Sequence, residues 1–191
     1  PSEEQRLEML RQLHILDTPS ESHFDGMVNV GKFMFKVPIC LISLIDMNRQ
    51  WFKSCVGLDV SETGRDEAFC AHAIMPKAPA PFVVLDAKAD PRFANNPLVV
   101  GAPFIRFYAG APLVMGDIKL GTFCCIDTKP RDEFTDEQAS MLMLMAKQVT
   151  DGLESRVAAR RLEKANAELH LNSAELRTVN NELNSLIDAA N

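Results

Sequence analysis

Hydrophobic residues recur at helical spacing near the start of the chain. The stripe comprises Phe24, Met27, Val28, Gly31 and Phe35. Apolar residues that repeat every three to four positions predict an amphipathic helix whose apolar face meets a core. The small residue in the stripe favours close approach of this helix to its neighbour.

Capping chemistry predicts where three helices begin. In a capping box, a Ser or Thr hydroxyl accepts a hydrogen bond from a backbone N–H, and a Glu or Gln three residues later bonds back. The pairs with this spacing are Ser2 with Gln5, Thr18 with Glu21, and Thr135 with Gln138. In the second pair, Pro19 suits the first helical position.

Two β-hairpins are predicted from runs of apolar and β-branched residues. The four strands are predicted over 37–45, 50–56, 107–114 and 119–126. The first run is almost unbroken apolar, which suits a central strand that is covered on both faces. Turn residues at 46–49 join the first pair, and Gly116-Asp117 favours a tight turn with positive φ between the second pair.

The segment between the hairpins, residues 57–105, is rich in proline and holds only short elements. A helical piece near 68–74 and a strand near 82–85 are predicted, with turns around 90–91 and 95–97. An irregular segment of this length inside a domain is usually functional. We therefore expect residues 57–105 to form the wall of a pocket.

From Phe134 onward the pattern is helical to the end of the chain. Two sets of residues recur at intervals of seven: Leu162, Leu169, Leu176 and Leu183, and, three residues after each, Ala165, Asn172, Val179 and Leu186. Such a heptad seam predicts a coiled coil of two chains. The alternative is that the turn pair Asp151-Gly152 breaks the helix and folds the tail back.

An upstream stripe on the same helix is out of phase with these leucines. It comprises Leu142, Met145, Val149 and Leu153. A change of register between the two stripes is a plausible switch. The residues assigned to the dimer or signalling helix are Leu153, Leu162, Leu169, Leu176, Val179, Leu183 and Leu186.

Composition narrows the classes of partner. The net charge of −6 and the pI near 5.2 argue against a nucleic-acid-binding surface. Five cysteines without a C-x-x-C pair or zinc-finger spacing indicate reduced thiols. No leader-like start and no apolar run long enough to span a bilayer is seen, so a cytoplasmic location without a direct membrane span is expected.

Six short phrases, in this order and spacing, resemble the GAF family, in particular its members linked to bacterial sensor histidine kinases and diguanylate cyclases. They are LDTP at 16–19, RQWFKS at 49–54, AFCAHAI at 68–74, Asp86 with DPRF at 90–93, IRFYAGAPL at 105–113, and GTFCCID at 121–127.

The resemblance implies an α+β fold. In such proteins an antiparallel sheet carries helices packed on one face and a small-molecule pocket on the other, and a long C-terminal helix leaves the domain as a coiled coil. It divides the chain into a sensory domain over 1–155 and a signalling helix over 156–191. The end of the chain resembles the approach to a PAS domain, and a histidine kinase is the expected parent protein.

Nine residues are candidates for contact with an unknown small molecule. They are Phe69, Cys70, His72, Asp86, Arg92, Phe93, Arg106, Tyr108 and Cys124, with Phe104 and Phe107 as further apolar lining. The competing interpretation is that the Arg and Asp side chains pair to fix the wall while the aromatic residues fill the core. No cofactor or metal is required by the sequence, and zinc on Cys70, His72 and Cys124 lacks a fourth ligand.

Cys70 and His72 are a candidate reactive pair, because a thiol near an imidazole can be a nucleophile, a metal ligand or a chromophore attachment point. Bilin-binding GAF domains resemble this chain but usually place His directly after the chromophore Cys, whereas Ala71 intervenes here. The Asn-Lys of cyclic-nucleotide-binding GAF domains is missing. Cys70 is therefore interpreted as a small buried hydrophobe.

The expected function is that of a regulatory input module, dimeric through its C-terminal helix. No set of acid, base and nucleophile is apparent, so no catalytic residue is assigned and the chain is not expected to be an enzyme. Two alternatives stay open: a dimerisation spacer that binds nothing, and a thiol-dependent reductase that uses Cys70 or Cys124.

Overall fold

The computed structural model describes residues 2–78 and 80–190, with side chains described for all of these except Thr178 and residues 182–190. The helices are α1 (Glu3–Gln12), α2 (Ser22–Phe35), α3 (Phe69–Ala73), α4 (Pro97–Val100) and α5 (Asp136–Ala190). The strands are β1 (Ile39–Ile45), β2 (Arg49–Val56), β3 (Glu62–Gly64), β4 (Phe82–Val84), β5 (Phe107–Met115) and β6 (Ile118–Asp127).

The described strands form one six-stranded antiparallel sheet in the order β3-β2-β1-β6-β5-β4. The predicted α+β fold and both predicted hairpins are confirmed. Strand β1 is buried along its whole length at the centre of the sheet, as its unbroken apolar run predicts. Gly116 has φ +58° in the turn between β5 and β6, where a residue with a side chain would be strained.

Two of the three predicted helix starts are confirmed. Ser2 and Gln5 form the capping box of α1, and Thr135 and Gln138 exchange both hydrogen bonds at the start of α5. The start predicted at Thr18 is wrong, because α2 begins at Ser22.

A tertiary contact explains the wrong helix start. The Thr18 hydroxyl donates to the Ile15 carbonyl at 2.6 Å and accepts from Lys53 Nζ at 3.0 Å, so it does not cap a helix. Lys53 also donates to the Pro19 carbonyl at 2.7 Å. The ammonium group of β2 thus holds the segment before α2 in a non-helical turn.

Alternate residues of the central strands face opposite sides of the sheet. On one side, Gly31 of α2 approaches Cys40 and Phe123. On the other side, Leu41 and Cys124 belong to a core that also contains α3 and residues of the 57–105 segment. The irregular segment therefore covers one face of the sheet, and it contributes the short strand β3, which the sequence analysis missed.

Helix α5 is unbroken at Asp151 and Gly152, so the predicted alternative of a helix break there is wrong. The chain divides into two compact units after Leu153. The stripe of Leu142, Met145, Val149 and Leu153 is buried in the first unit. Leu153, assigned from sequence to the dimer helix, is thus a core residue with 1% exposure.

The second unit begins at Glu154 and is helical as far as Ala190. Its apolar heptad residues are strongly exposed, at 63% for Leu162, 66% for Leu169, 70% for Leu176 and 60% for Val179. The predicted seam positions Leu183 and Leu186 lie outside the residues whose side chains are described. Across the described part of the chain, no helix is both long and apolar enough to cross a membrane.

Candidate functional site

An aromatic cluster forms beneath the irregular segment. The ring of Phe69 in α3 stacks on Phe93 with centroids 4.1 Å apart and on Tyr108 of β5 at 5.3 Å. Phe82 of β4 meets both Phe93 and Tyr108 edge-on. All four residues are buried, so the cluster fixes α3 and residues 82–93 against the sheet.

Thiols and hydroxyls lie next to this aromatic cluster. Tyr108 Oη donates to Cys70 Sγ at 3.2 Å, and Cys70 Sγ lies 3.7 Å from Cys124 Sγ. Thr122 Oγ1 is 3.5 Å from Tyr108 Oη and 3.2 Å from Ser43 Oγ. These five side chains, all buried, form the buried polar track of the domain.

The surroundings of the two thiols shift the pKa values of Cys70 and Cys124 in opposite directions. Burial raises the pKa of Cys70, but hydrogen bonds from Cys124, Ser43, Thr122 and Tyr108 outweigh it, so that the pKa lies below its ordinary value. Burial, followed by the hydrogen bond to Cys70, raises the pKa of Cys124 well above the ordinary range. Of the two sulfurs, Cys70 therefore carries the more stable thiolate.

Three polar side chains lie at the rim of the aromatic cluster: His72, Arg92 and Asp90. His72 meets Phe93 edge-on at 4.9 Å, and the Arg92 guanidinium lies 5.2 Å from the Phe93 ring centroid. Arg92 pairs with Asp90 at 2.6 Å. Partial burial, with a smaller contribution from Arg92, lowers the pKa of His72, so this imidazole favours its neutral form.

Asp86 and Arg106 form a two-contact ion pair. Arg106 Nε and the guanidinium Nη2 each lie 2.7 Å from a carboxylate oxygen of Asp86. The hydrogen bond from Arg106 holds the pKa of Asp86 below its ordinary value, although desolvation opposes this shift. The pair joins the loop after β4 to the residue before β5, as in the alternative interpretation in which charges fix the wall.

Two apolar residues expected in the pocket lie elsewhere. Phe107 packs against Phe134 with centroids 5.7 Å apart and lies under Arg131. It adjoins Tyr108 in β5, and neighbouring residues of a strand face opposite sides of the sheet. Phe104 lies in the loop between α4 and β5 with φ +60°, and it is 57% exposed.

A groove of about 510 Å³ opens near the start of α1 and the end of α3. Its described lining includes Arg6, Arg65, Ile74 and Lys119, and none of the nine candidate residues is among the residues that line it. Lys119 Nζ there donates to the carbonyl of Met75 at 3.1 Å. The candidates therefore gather in the buried core beside α3 and at its rim.

Sequence reasoning missed Ser43 and Thr122 of the polar track. Both occupy apolar strand runs and are fully buried. A hydroxyl inside an apolar run is the signal that could have identified them, because a buried hydroxyl requires a partner.

The zinc hypothesis gains no support from the geometry. Among residues 2–78 and 80–190, no group of three or more His, Cys, Asp or Glu side chains is arranged to hold a metal ion. The Cys70 sulfur is instead in contact with Cys124 and Tyr108.

Comparison with known proteins adds the family. The GAF domain family model matches residues 21–152. A cyclic di-GMP phosphodiesterase of Pseudomonas aeruginosa is 41% identical over 148 residues, which cover 77% of this chain and 25% of that protein. The chain thus spans a quarter of this relative's length.

Solved structures share the fold at low identity. The GAF domain of an Acinetobacter phosphoenolpyruvate-protein phosphotransferase matches with TM-score 0.58 and 19% identity, over 82% of this chain and 98% of that one. A type II free methionine-R-sulfoxide reductase from Thermoplasma acidophilum matches with TM-score 0.57 and 15% identity, over 70% of this chain and 92% of that one.

The sequence-based prediction that this chain is not an enzyme is wrong. It rested on missing catalytic motifs, whereas the 41% identical relative is named as a cyclic di-GMP phosphodiesterase. A reductase also shares the fold. Enzymatic activity is therefore not excluded by the lack of a recognised motif.

Proposed function

Because the chain belongs to the GAF domain family, we propose that it is a sensory input module of a multidomain cytoplasmic protein with cyclic di-GMP phosphodiesterase output. The sensory domain occupies residues 1–155 and the signalling helix residues 156–191. Two copies pair through the signalling helix, and the state of the domain is relayed along it.

The observation that carries this proposal is the likeness to the Pseudomonas aeruginosa phosphodiesterase. The identity of 41% extends over 148 residues of this chain but over only a quarter of the relative. The matching segment has the size of a single domain, and domains of this size are commonly combined with others in longer proteins. This likeness supports a cyclic di-GMP phosphodiesterase as the parent protein. The histidine kinase parent and the following PAS domain, which were expected from the sequence, remain predictions.

The exposed seam supports pairing with a second copy. Leu162, Leu169 and Leu176 recur every seven residues, and each is more than 60% exposed in the single chain. Apolar side chains at this spacing are stabilised when an identical helix covers them. A second copy is the matching partner, because a symmetric pair presents the same seam from both sides.

The input end of the relay is the core beside α3. The aromatic cluster and the Asp86–Arg106 pair join the irregular segment to the sheet. A small molecule or partner that binds one arrangement of this segment better than another shifts the population between them. A coupling of about 1–3 kcal/mol to the helix is typical of such regulation.

A chimera tests the proposal. This chain replaces the matching segment of the Pseudomonas aeruginosa phosphodiesterase, and hydrolysis of cyclic di-GMP is measured. One version carries four extra residues after Leu153 and the matched control carries seven, because only the seven-residue insertion preserves the heptad phase of about 3.5 residues per turn.

We expect the four-residue insertion to change the hydrolysis rate severalfold and the seven-residue insertion to leave it near that of the parent chimera. Equal rates in all three proteins would favour the spacer alternative. Hydrolysis by this chain alone would instead assign the activity to the domain itself.

The reductase is the second candidate, because Cys70 and Cys124 lie 3.7 Å apart in a fold shared with a methionine sulfoxide reductase. Incubation of the chain with free methionine-R-sulfoxide and dithiothreitol tests it. Turnover that is lost in Cys70→Ser and retained in Cys40→Ser would favour this function. No turnover by the folded chain would remove it.

A further inference from the structure

Two buried thiols from distant parts of the chain are in contact. Cys70 lies in α3 and Cys124 in β6, and their sulfur atoms are 3.7 Å apart. Both are free cysteines with at most 1% exposure. The contact joins the short helix of the irregular segment to the central sheet.

The neighbours of this thiol pair make its two members chemically unequal. The Tyr108 hydroxyl donates to Cys70 at 3.2 Å, and this hydrogen bond favours a negative charge on that sulfur. The pKa of Cys70 is lowered despite burial, while burial and the neighbouring sulfur raise that of Cys124. A reactive thiolate beside a protonated thiol is the arrangement in which a disulfide forms through one attacking and one resolving cysteine.

We propose that Cys70 and Cys124 form a redox-reactive pair that a peroxide converts reversibly to a disulfide. The Cys70 thiolate attacks a peroxide oxygen and becomes a sulfenic acid, and the O–O bond breaks to release water after protonation. Cys124 then attacks the Cys70 sulfur, its proton leaves with the hydroxyl as a second water, and the S–S bond forms. The two thiols lose two electrons, which hydrogen peroxide accepts.

The geometry permits this bond with a modest movement. A disulfide requires sulfur atoms about 2.05 Å apart, compared with 3.7 Å in the reduced pair. Helix α3 has only five residues and is flanked by irregular chain, so it can move towards β6 without distorting a long element. The bond would tie α3 covalently to the sheet.

Peroxide reaches the buried sulfurs through local opening of the domain, and attack by the Cys70 thiolate then limits the rate. Hydrogen peroxide is small and uncharged, and local opening of short, irregular elements exposes buried groups without global unfolding. We therefore expect oxidation over minutes at millimolar peroxide. The half-buried Cys55 serves as an internal reporter that peroxide has reached the protein.

The chain contains its own matched control. Cys40 and Cys125 face each other across β1 and β6 on the other face of the sheet, with sulfur atoms 3.9 Å apart. Burial raises the pKa of Cys125 well above the ordinary range. In the described part of the chain, no hydroxyl group donates to either of these sulfurs, so this pair should stay reduced under the same treatment.

Mass spectrometry of the whole chain tests the proposal. The chain is treated with hydrogen peroxide at pH 7, blocked with N-ethylmaleimide and digested with trypsin without reduction. We expect the peptide of Cys70 linked to the peptide of Cys124, and the link should disappear with dithiothreitol. Oxidation of Cys55 without this link, or equally fast linkage of the peptide that contains Cys40, would overturn the proposal.

Because Cys124 and Cys125 share one tryptic peptide, cysteine variants are needed to show which of the two is linked to Cys70. Cys125→Ser should retain the link, whereas Cys124→Ser should abolish it and leave a sulfenic acid on Cys70 that dimedone traps. Tyr108→Phe should slow linkage by about threefold or more, since it removes a donor to the thiolate. The opposite result for the two cysteine variants would assign the reaction to Cys125 and contradict the proposal.

A measurement on the unaltered chain does not depend on the folding of any variant. The rate of linkage is followed against pH, and its midpoint should fall below the value of about 8.5 that is ordinary for a free cysteine. A rate that rises only above that pH would contradict a stabilised thiolate on Cys70. The inference does not rest on the proposed signalling role, since it concerns a reaction within the domain.

Discussion

Gly31 of α2 and Phe123 of β6 meet at a point where no side-chain atom fits at position 31. A Cβ atom there would lie 2.6 Å from Phe123 Cζ and 2.8 Å from Cys40 Sγ. Such distances are far inside van der Waals contact. The distance between α2 and the sheet is therefore set by a residue without a side chain.

Substitution at this contact should destabilise the domain. Gly31→Ala forces α2 away from the sheet or displaces the Phe123 ring, and overpacking of this kind costs about 1–3 kcal/mol. Urea unfolding followed by the fluorescence of Trp51 measures the change. Gly26 is the matched control, because it lies on the same helix, is exposed, and has no atom within 4 Å of an added Cβ.

Gly26→Ala should instead stabilise the domain by up to about 1 kcal/mol, since alanine has the higher helix propensity. If the two substitutions changed the unfolding free energy equally, helix propensity would explain both. The close approach of α2 to β6 would then have no energetic consequence.

Loss of the Lys53 ammonium should also destabilise the domain. The side chain is fully buried and donates to Thr18, to the Pro19 carbonyl and to Glu21 at 2.6 Å. Lys53→Met leaves these acceptors without their donor, which should lower the unfolding free energy by about 2–4 kcal/mol. Glu21→Gln retains an acceptor oxygen and should cost clearly less, and a larger loss in Glu21→Gln would contradict this account.

The acid group at the start of α1 should make stability depend on pH. The hydrogen bond from Arg6, opposed by partial burial and reinforced by Arg65, lowers the pKa of Glu3 from 4.5 to about 2. A depressed carboxyl pKa stabilises the folded state above the unfolded pKa, and this stabilisation is lost as the pH falls from 4.5 through about 2.

Glu3→Gln isolates this contribution. The Glu3 side chain is 49% exposed, so solvent screening limits the loss at pH 7 to about 1 kcal/mol or less. Urea unfolding at several pH values should show the two proteins converging as the pH approaches 2. A difference that stayed constant down to that pH would point to packing instead of charge.

The proposed pairing of two copies through the heptad seam predicts which substitution should dissociate the dimer. Leu169→Lys places a charge in the seam and should convert a dimer to a monomer in sedimentation equilibrium, because charged residues at seam positions weaken pairing. Leu171 is equally exposed at 66% but lies outside the seam, so Leu171→Lys should leave the dimer intact. Dissociation by both substitutions, or by neither, would contradict the assigned seam.

Much of the fold follows from local sequence. The unbroken apolar run of β1, the Gly116 turn, and the capping boxes at Ser2 and Thr135 act through neighbouring residues, and each is present in the structure. The start of α2 could not be predicted from neighbouring residues. Thr18, the predicted capping residue, is instead held in a non-helical turn by Lys53, which is more than thirty residues away in the sequence.

The candidate site also combines features that the local sequence predicts with features that depend on tertiary contacts. The sequence by itself determined the GAF resemblance, the aromatic and cysteine residues beside α3, and the heptad spacing beyond the domain, because these are matters of residue type and interval. Only the tertiary structure decided that Cys70 touches Cys124 and that Phe107 faces away from them. These contacts depend on which face of a strand each side chain takes and on how a distant helix packs over it, and no local interval encodes that.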